Sequence, residues 1–430
     1  MKDRRKNRPP IRAITDVSLP PAHIWTLRNG LPVYGARLGT QEIVRIELVC
    51  WAGRPYELQP LTAMAAGQLL KEGTRRRSGR ELAEFFDFYG ANLRIPFQMD
   101  TTNVVLYCLN RHLETVLPVL AEMIAEPAFP ADELASLVRR RKQSLLEDLS
   151  QNDVVAYRQI TECFFGPDHP YGYNSSAARY DELAVAGIAE HHQRLVHAGN
   201  GFIVLSGQVT PAVEAQLDRY LGDLPVGLAA ADPALTPKTE SPRTIYLPRP
   251  NTAQTAIRIG RRLFSRQHPD AHGLYVLANL LGGYFGSRLM ENLREDKGYT
   301  YNVSASYDSL RWDGSFQIDA EVGNEVVEGT RREIFHEMDR LREELVPAAE
   351  MDMLRNYLMG SSLSMIDGPF NWAETVRTLL SEGLPLSAFA ELVSTIQTIT
   401  PEQLRELAQR YFDPGQMWEV TVGEPADNKR

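Results

Sequence analysis

The histidines and cysteines of this chain, nine and three, form no familiar metal or nucleophile motif. His191, His192 and His197 lie close together in sequence. Imidazoles bind metals, but His191 and His192 are adjacent on a helical segment and point in different directions, and no carboxylate stands four residues from any of the three. The spacing reads as solvated or helix-capping histidines. His169, before Pro170, reads as a turn former. Cys50, Cys108 and Cys163 are far apart with no Cys-x-x-Cys, which excludes a zinc knuckle and a thioredoxin-like pair and suits a reducing compartment. Gly282-Gly283-Tyr284-Phe285-Gly286-Ser287 lacks the Gly-Lys-Ser/Thr ending of a phosphate loop and follows a helix pattern, so nucleotide binding is rejected. Its glycines, Gly282 and Gly283, are read as a flexible loop that can approach a peptide chain. Arg294 and Tyr301 could donate to an oxyanion developing in peptide hydrolysis, although spacing alone favours a surface Arg and a strand Tyr.

The elements that must position these residues belong to an ordinary globular chain. Its 430 residues suggest two or three domains, and a net charge of −9 argues against a nucleic-acid partner. The basic stretch from Met1 to Pro10 precedes no long apolar run, and no window approaches the roughly 18 apolar residues of a membrane span. The expectation is a cytoplasmic protein without membrane contact. Arg75-Arg76-Arg77 and Arg139-Arg140-Arg141-Lys142 read as solvated faces that could attract an acidic peptide or partner.

Periodicity predicts strands over 43–51, 101–109, 252–260, 299–307 and 314–322. It predicts helices over 61–71, 80–89, 113–124, 131–149 and 271–281. Strands come partly in runs with helices between, so the class is α+β: two tandem domains, each a mainly antiparallel sheet covered by helices. The Ala-, Pro- and Thr-rich stretch from Leu224 to Thr244 reads as a linker. Domains are expected over 1–225 and 244–430, joined by 226–243. The halves echo each other. Pro130 and Pro347, each opening a helix pattern, are 217 residues apart, and Gly207 and Gly423, each ending a strand pattern, are 216 apart.

Nearly the whole chain resembles the pitrilysin and insulysin metallopeptidases, which include mitochondrial processing peptidase and its core-protein relatives. In the amino half the resemblance rests on Leu27-Arg28-Asn29-Gly30-Leu31-Pro32-Val33, Trp51-Ala52-Gly53-Arg54, Leu70-Lys71-Glu72-Gly73-Thr74 and Asp168-His169-Pro170-Tyr171-Gly172. In the carboxyl half it rests on Gly282-Gly283, Ser287-Arg288-Leu289, Leu293-Arg294-Glu295 and Gly298-Tyr299-Thr300-Tyr301.

The resemblance implies an inverted zinc motif, His-x-x-Glu-His, on the helix before Gly73-Thr74. Met64, Gly67 and Gln68 occupy those positions instead. The family's third ligand, a glutamate, would fall near Glu147 or Asp148, and one carboxylate cannot hold a catalytic zinc that needs three protein ligands. The resemblance also makes Arg294 and Tyr301 the pair that reaches toward the substrate carbonyl.

One chain supplies two of the four domains that enclose the family's chamber. The expectation is therefore a non-catalytic subunit of a two-chain zinc peptidase that helps enclose peptides. It would hold no metal or cofactor, and zinc would sit on a motif-bearing paralogue. The alternative is a peptide-binding or structural scaffold without proteolytic role, perhaps homodimeric.

Overall fold

A computed structural model describes Ile14 and residues 16–236 and 240–424. The basic stretch at the amino terminus and part of the expected linker lie outside them. Eleven strands are present among the described residues: β1 (His23–Thr26), β2 (Pro32–Arg37), β3 (Ile43–Cys50), β4 (Asn92–Arg94), β5 (Thr102–Leu109), β6 (Gly201–Gly207), β7 (Thr244–Pro248), β8 (Gln254–Leu263), β9 (Val303–Ser309), β10 (Gly314–Gly323) and β11 (Trp418–Gly423). The first sheet has the order β1-β2-β6-β3-β5-β4 and the second β7-β11-β8-β10-β9.

Without β1 the two orders correspond strand for strand. Directions correspond as well: β2–β6 and β7–β11 are the parallel pairs, and every other pair is antiparallel. The class is α+β with two like halves. Among the described residues no helix is long and apolar enough to cross a membrane.

Local chemistry sets the main helix boundaries. Ser78 and Glu81 form a reciprocal capping box at the start of the Gly79–Phe88 helix, and Thr400 and Gln403 do the same for Pro401–Tyr411. Pro130 and Pro347 stand just ahead of the long helices Ala131–Asp148 and Ala348–Ser364, where their missing N–H costs nothing.

β8 runs to Leu263, three residues beyond expectation, the Thr62–Leu69 helix ends two residues early, and two further boundaries differ near the candidate site. The strand predicted from Tyr299 begins only at Val303. The Thr300 hydroxyl lies within donating distance of the carbonyls of Asn302 (2.8 Å) and Glu321 (2.7 Å) and accepts from the Asn302 N–H (3.2 Å), contacts that compete with ladder pairing. The helix predicted to end at Leu281 is α-helical to Ala278 and then widens into a π turn over Asn279–Gly283, with the Asn279 amide donating to the Tyr275 carbonyl.

Each half covers part of the other's sheet. The Gly368–Ser381 helix packs on β6 and β2, burying Trp372, Ala373 and Val376 against Ala36, Val49, Phe202 and Val204. The Asn152–Phe165 helix, 216 residues earlier, packs on β8 and β11 through Ala156, Ile160 and Phe164. The polar side of β3 is buried for this reason. Arg45, fully enclosed, donates to Glu47 (2.6 Å), Glu374 (2.5 Å) and Tyr107 (3.1 Å), and Glu47 also accepts from Asn103 at 2.7 Å. A buried guanidinium without such partners would carry a large desolvation penalty.

The second half's hairpin tip docks on the first by a similar logic. Asp100 accepts from the Tyr171 hydroxyl and from the Arg311 backbone N–H (3.1 Å), while the Arg311 guanidinium lies 4.0 Å from the centre of the Trp51 ring. Nearby, Glu382 pairs with Arg266 at 3.1 Å with its side chain only 12% exposed, and burial pushes its carboxyl up to about 7 from the ordinary 4.5.

The folded chain thus keeps this proton to about pH 7, whereas the unfolded chain releases it near 4.5. The contribution is full below the unfolded value and is lost as pH rises to the folded one. Glu382→Gln, which stays neutral, is expected to match the wild type in urea unfolding at pH 4 and to exceed it by about 3 kcal/mol at pH 8. Equal gaps at the two pH values would contradict this.

Candidate functional site: the Thr62–Leu69 helix and an arginine–tyrosine pair

The Thr62–Leu69 helix follows Leu61, whose φ of 72° lies in the left-handed region. Glu57 anchors its start, accepting from the N–H groups of Leu61 (3.3 Å) and Ala63 (2.7 Å), and Tyr173 donates to the same carboxylate at 2.7 Å. Burial raises the Glu57 pKa above the usual carboxylate value, and those hydrogen bonds oppose the shift. Ala65, Ala66 and Leu69 turn into a core with Phe129, Leu137, Leu145 and Ile188.

Met64, Gly67 and Gln68 line a narrow groove against Ile95, Pro96, Phe97 and Thr101. A Cβ at Gly67 would stand 3.5 Å from Ile95, ordinary contact, so crowding at that position does not demand glycine. The Arg141 Nε donates to the Gln68 side-chain oxygen at 3.2 Å. On the same long helix Leu145 is buried in the core, while Glu147 and Asp148 are exposed and Glu147 accepts from Gln143 at 3.1 Å.

These residues do not fit a zinc ion. A thioether, a hydrogen atom and a neutral amide offer no ligating set, and the Arg141 guanidinium stands on the amide. Among the described residues no group of three or more His, Cys, Asp or Glu side chains is arranged to hold a metal.

The three clustered histidines are buried, not solvated. Their Nε2 atoms meet backbone carbonyls: His191 with Ala52 (3.0 Å), His192 with Ile124 (2.7 Å) and His197 with Arg194 (3.0 Å). The last two carbonyls belong to final helical turns, so capping is the alternative that holds there. Burial pushes His191 and His192 down to about 4, which keeps both neutral at pH 7. His169 shapes its turn by accepting from the Tyr171 N–H at 3.1 Å.

The carboxyl half assembles a different constellation. Gly282 and Gly283 close the π turn, Gly282 at a kink with non-helical dihedrals (φ −156°, ψ 15°), so they stand at the edge of the loop and not within it as the sequence suggested. A Cβ on Gly282 would stand 2.6 Å from the Ala305 backbone nitrogen, so glycine there permits close packing of the turn on β9. The loop proper begins at Tyr284 and leads to a second π-helical stretch, Met290–Asp296, where the Lys297 N–H reaches the Asn292 carbonyl.

Arg294 sits in that stretch, its guanidinium carbon 4.9 Å from the Phe285 ring centre and 4.7 Å from that of Tyr301. Phe285 is 61% exposed and Tyr301 84%. An arginine between two aromatic faces is held by cation–π attraction, and the Arg294 Nε also faces the Glu295 carboxylate at 3.5 Å. Arg294 and Tyr301 are thus brought together at the surface, and Tyr301 precedes its strand instead of opening it.

Sequence reasoning missed Phe285, Arg141 and Glu57. Phe285 stood within a noted run, and Arg141 was absorbed into a charged face. Nothing local marks Glu57 as a cap, because its target begins four residues on.

Two like α+β halves, each a five-strand core of the same order and directions, define the fold class, and comparison gives the family. The model described as "Insulinase (Peptidase family M16)" matches residues 62–162, and "Peptidase M16 inactive domain" matches 185–358. The chain belongs to peptidase family M16. An uncharacterized zinc protease, YmxG, of Bacillus subtilis is 21% identical over 90% of this chain and 95% of its own. A protein named "Non-peptidase homolog YmxG" in Helicobacter pylori is 20% identical over 80% of each. The crystal structure of a peptidase M16 inactive domain from Pseudomonas fluorescens superposes with a TM-score of 0.87 at 23% identity, covering 94% of this chain and 98% of that one.

Proposed function

We propose that this chain is a non-catalytic subunit of a two-chain zinc peptidase, enclosing peptide substrates and presenting Arg294 and Tyr301 to an active site that a partner completes. The observation that carries the reading is an asymmetry. Met64, Gly67 and Gln68 offer no ligating set and Gln68 meets Arg141, while the half-buried Arg294 stands against the exposed Tyr301 at the surface.

A guanidinium and a phenol supply hydrogen bonds that strengthen as a carbonyl oxygen gains charge, and they need neither metal nor base on their own chain. The zinc is expected on a paralogue bearing His-x-x-Glu-His. Mixing the chain with such a paralogue and following cleavage of a fluorogenic peptide tests the proposal. Turnover should rise with added chain and saturate at one to one. A paralogue equally active alone would overturn the reading in favour of a scaffold.

A further inference from the structure

A cavity of about 550 Å³ opens between the Val185–Leu195 helix and the loop after the Leu113–Ala125 helix, away from the residues discussed above as candidate peptidase machinery. Its size suits a small organic group. Much of its wall is apolar: Ile124, Pro127, Phe129, Ala189, Val196 and Pro225. Phe129 is held at a φ of 46°, an uncommon conformation for a bulky residue, with its ring edge-on to His192 at 5.4 Å.

Five polar residues line the cavity: Arg75, Glu126, His192, Gln193 and His197. Glu126 is engaged by Arg76 at 3.4 Å and His197 by the Arg194 carbonyl, and Arg75 and His192 give the cavity chemical direction. Arg76 and Arg77 are paired with Glu126 and Glu122, whereas Arg75, which lines the cavity, has no carboxylate partner among the described residues. His192 also lines it. Its Nε2 donates to the Ile124 carbonyl, which leaves Nδ1 as a bare acceptor. Burial keeps that ring neutral at pH 7.

An apolar body, a carboxylate for the guanidinium and an N–H for the imidazole are therefore the complementary set. A multiply charged inorganic anion would meet apolar wall and a lone pair instead. We propose that this cavity binds the C-terminal residue of a peptide, with its carboxylate on Arg75, its apolar side chain against the Phe129 wall and its amide N–H toward His192 Nδ1. The assignment is independent of the proposed role of Arg294 and Tyr301.

Calorimetric titration of the full chain with N-acetyl-phenylalanine and N-acetyl-leucine tests it. At least one should bind saturably, one per chain. The corresponding amide, N-acetyl-phenylalaninamide or N-acetyl-leucinamide, should bind at least tenfold more weakly, as should the acid itself to Arg75→Ala. The matched acid without an N–H, 3-phenylpropionate or 4-methylpentanoate, should bind several-fold more weakly. Ala189→Trp, which fills the cavity, should abolish binding with an unchanged circular dichroism spectrum. If that variant does not fold, the exposed Arg75→Ala decides. No saturable binding by either N-acetyl amino acid, an amide as tight as its acid, or full affinity in Arg75→Ala would overturn the proposal. An N–H-free acid that binds equally well would overturn the peptide assignment.

Discussion

In a complex reconstituted with a zinc-bearing paralogue, Tyr301→Phe is expected to lower kcat by about a hundredfold to a thousandfold, roughly 2.7–4 kcal/mol of transition-state stabilisation. The substitution deletes one hydroxyl and keeps the ring on which Arg294 rests 4.7 Å away, so the surface stays in place while the donor is lost. Arg294→Ala should cost a similar amount through its own donors, and it also releases Phe285. KM should move far less than kcat, because the bonds strengthen only as charge develops on the oxygen. Unchanged turnover in an intact complex would make both residues structural.

Trp372→Ala is expected to destabilise the chain by about 3–5 kcal/mol. The indole is fully buried between the halves against Phe202, Val204 and Val49, and its N–H donates to the Pro20 carbonyl at 2.8 Å. Trp372→Phe keeps most of the apolar volume and gives up that hydrogen bond, so its cost should be nearer 1–2 kcal/mol. Urea unfolding followed by circular dichroism orders the two variants. A loss below about 1 kcal/mol for Trp372→Ala would mean that the Gly368–Ser381 helix contributes little to joining the halves.

Much of the fold was legible because its signals are local. Alternation over 43–51 gave β3, and Pro130 and Pro347 marked two long helices. The 216-residue offset proved to relate even the two helices that cross between halves. What alternation could not say is which face of β3 meets water. Arg45 and Glu47 share one side of that alternation, and a helix more than 300 residues away covers them. The site was legible only in part for the same reason. Arg294 and Tyr301 are close in sequence and meet, whereas the pairing of Gln68 with Arg141 spans 73 residues and depends on how two helices pack. Gly282 looked like a loop glycine because sequence does not show the strand that crowds it.

The central claim is that this chain cannot supply the metal chemistry of its family, and metal analysis of the purified chain tests it most directly. After equilibration with micromolar zinc and removal of the excess, elemental analysis should find well under one zinc per chain, and a peptide mixture should remain uncleaved. About one zinc per chain, lost on Glu147→Ala or Asp148→Ala, would contradict the account.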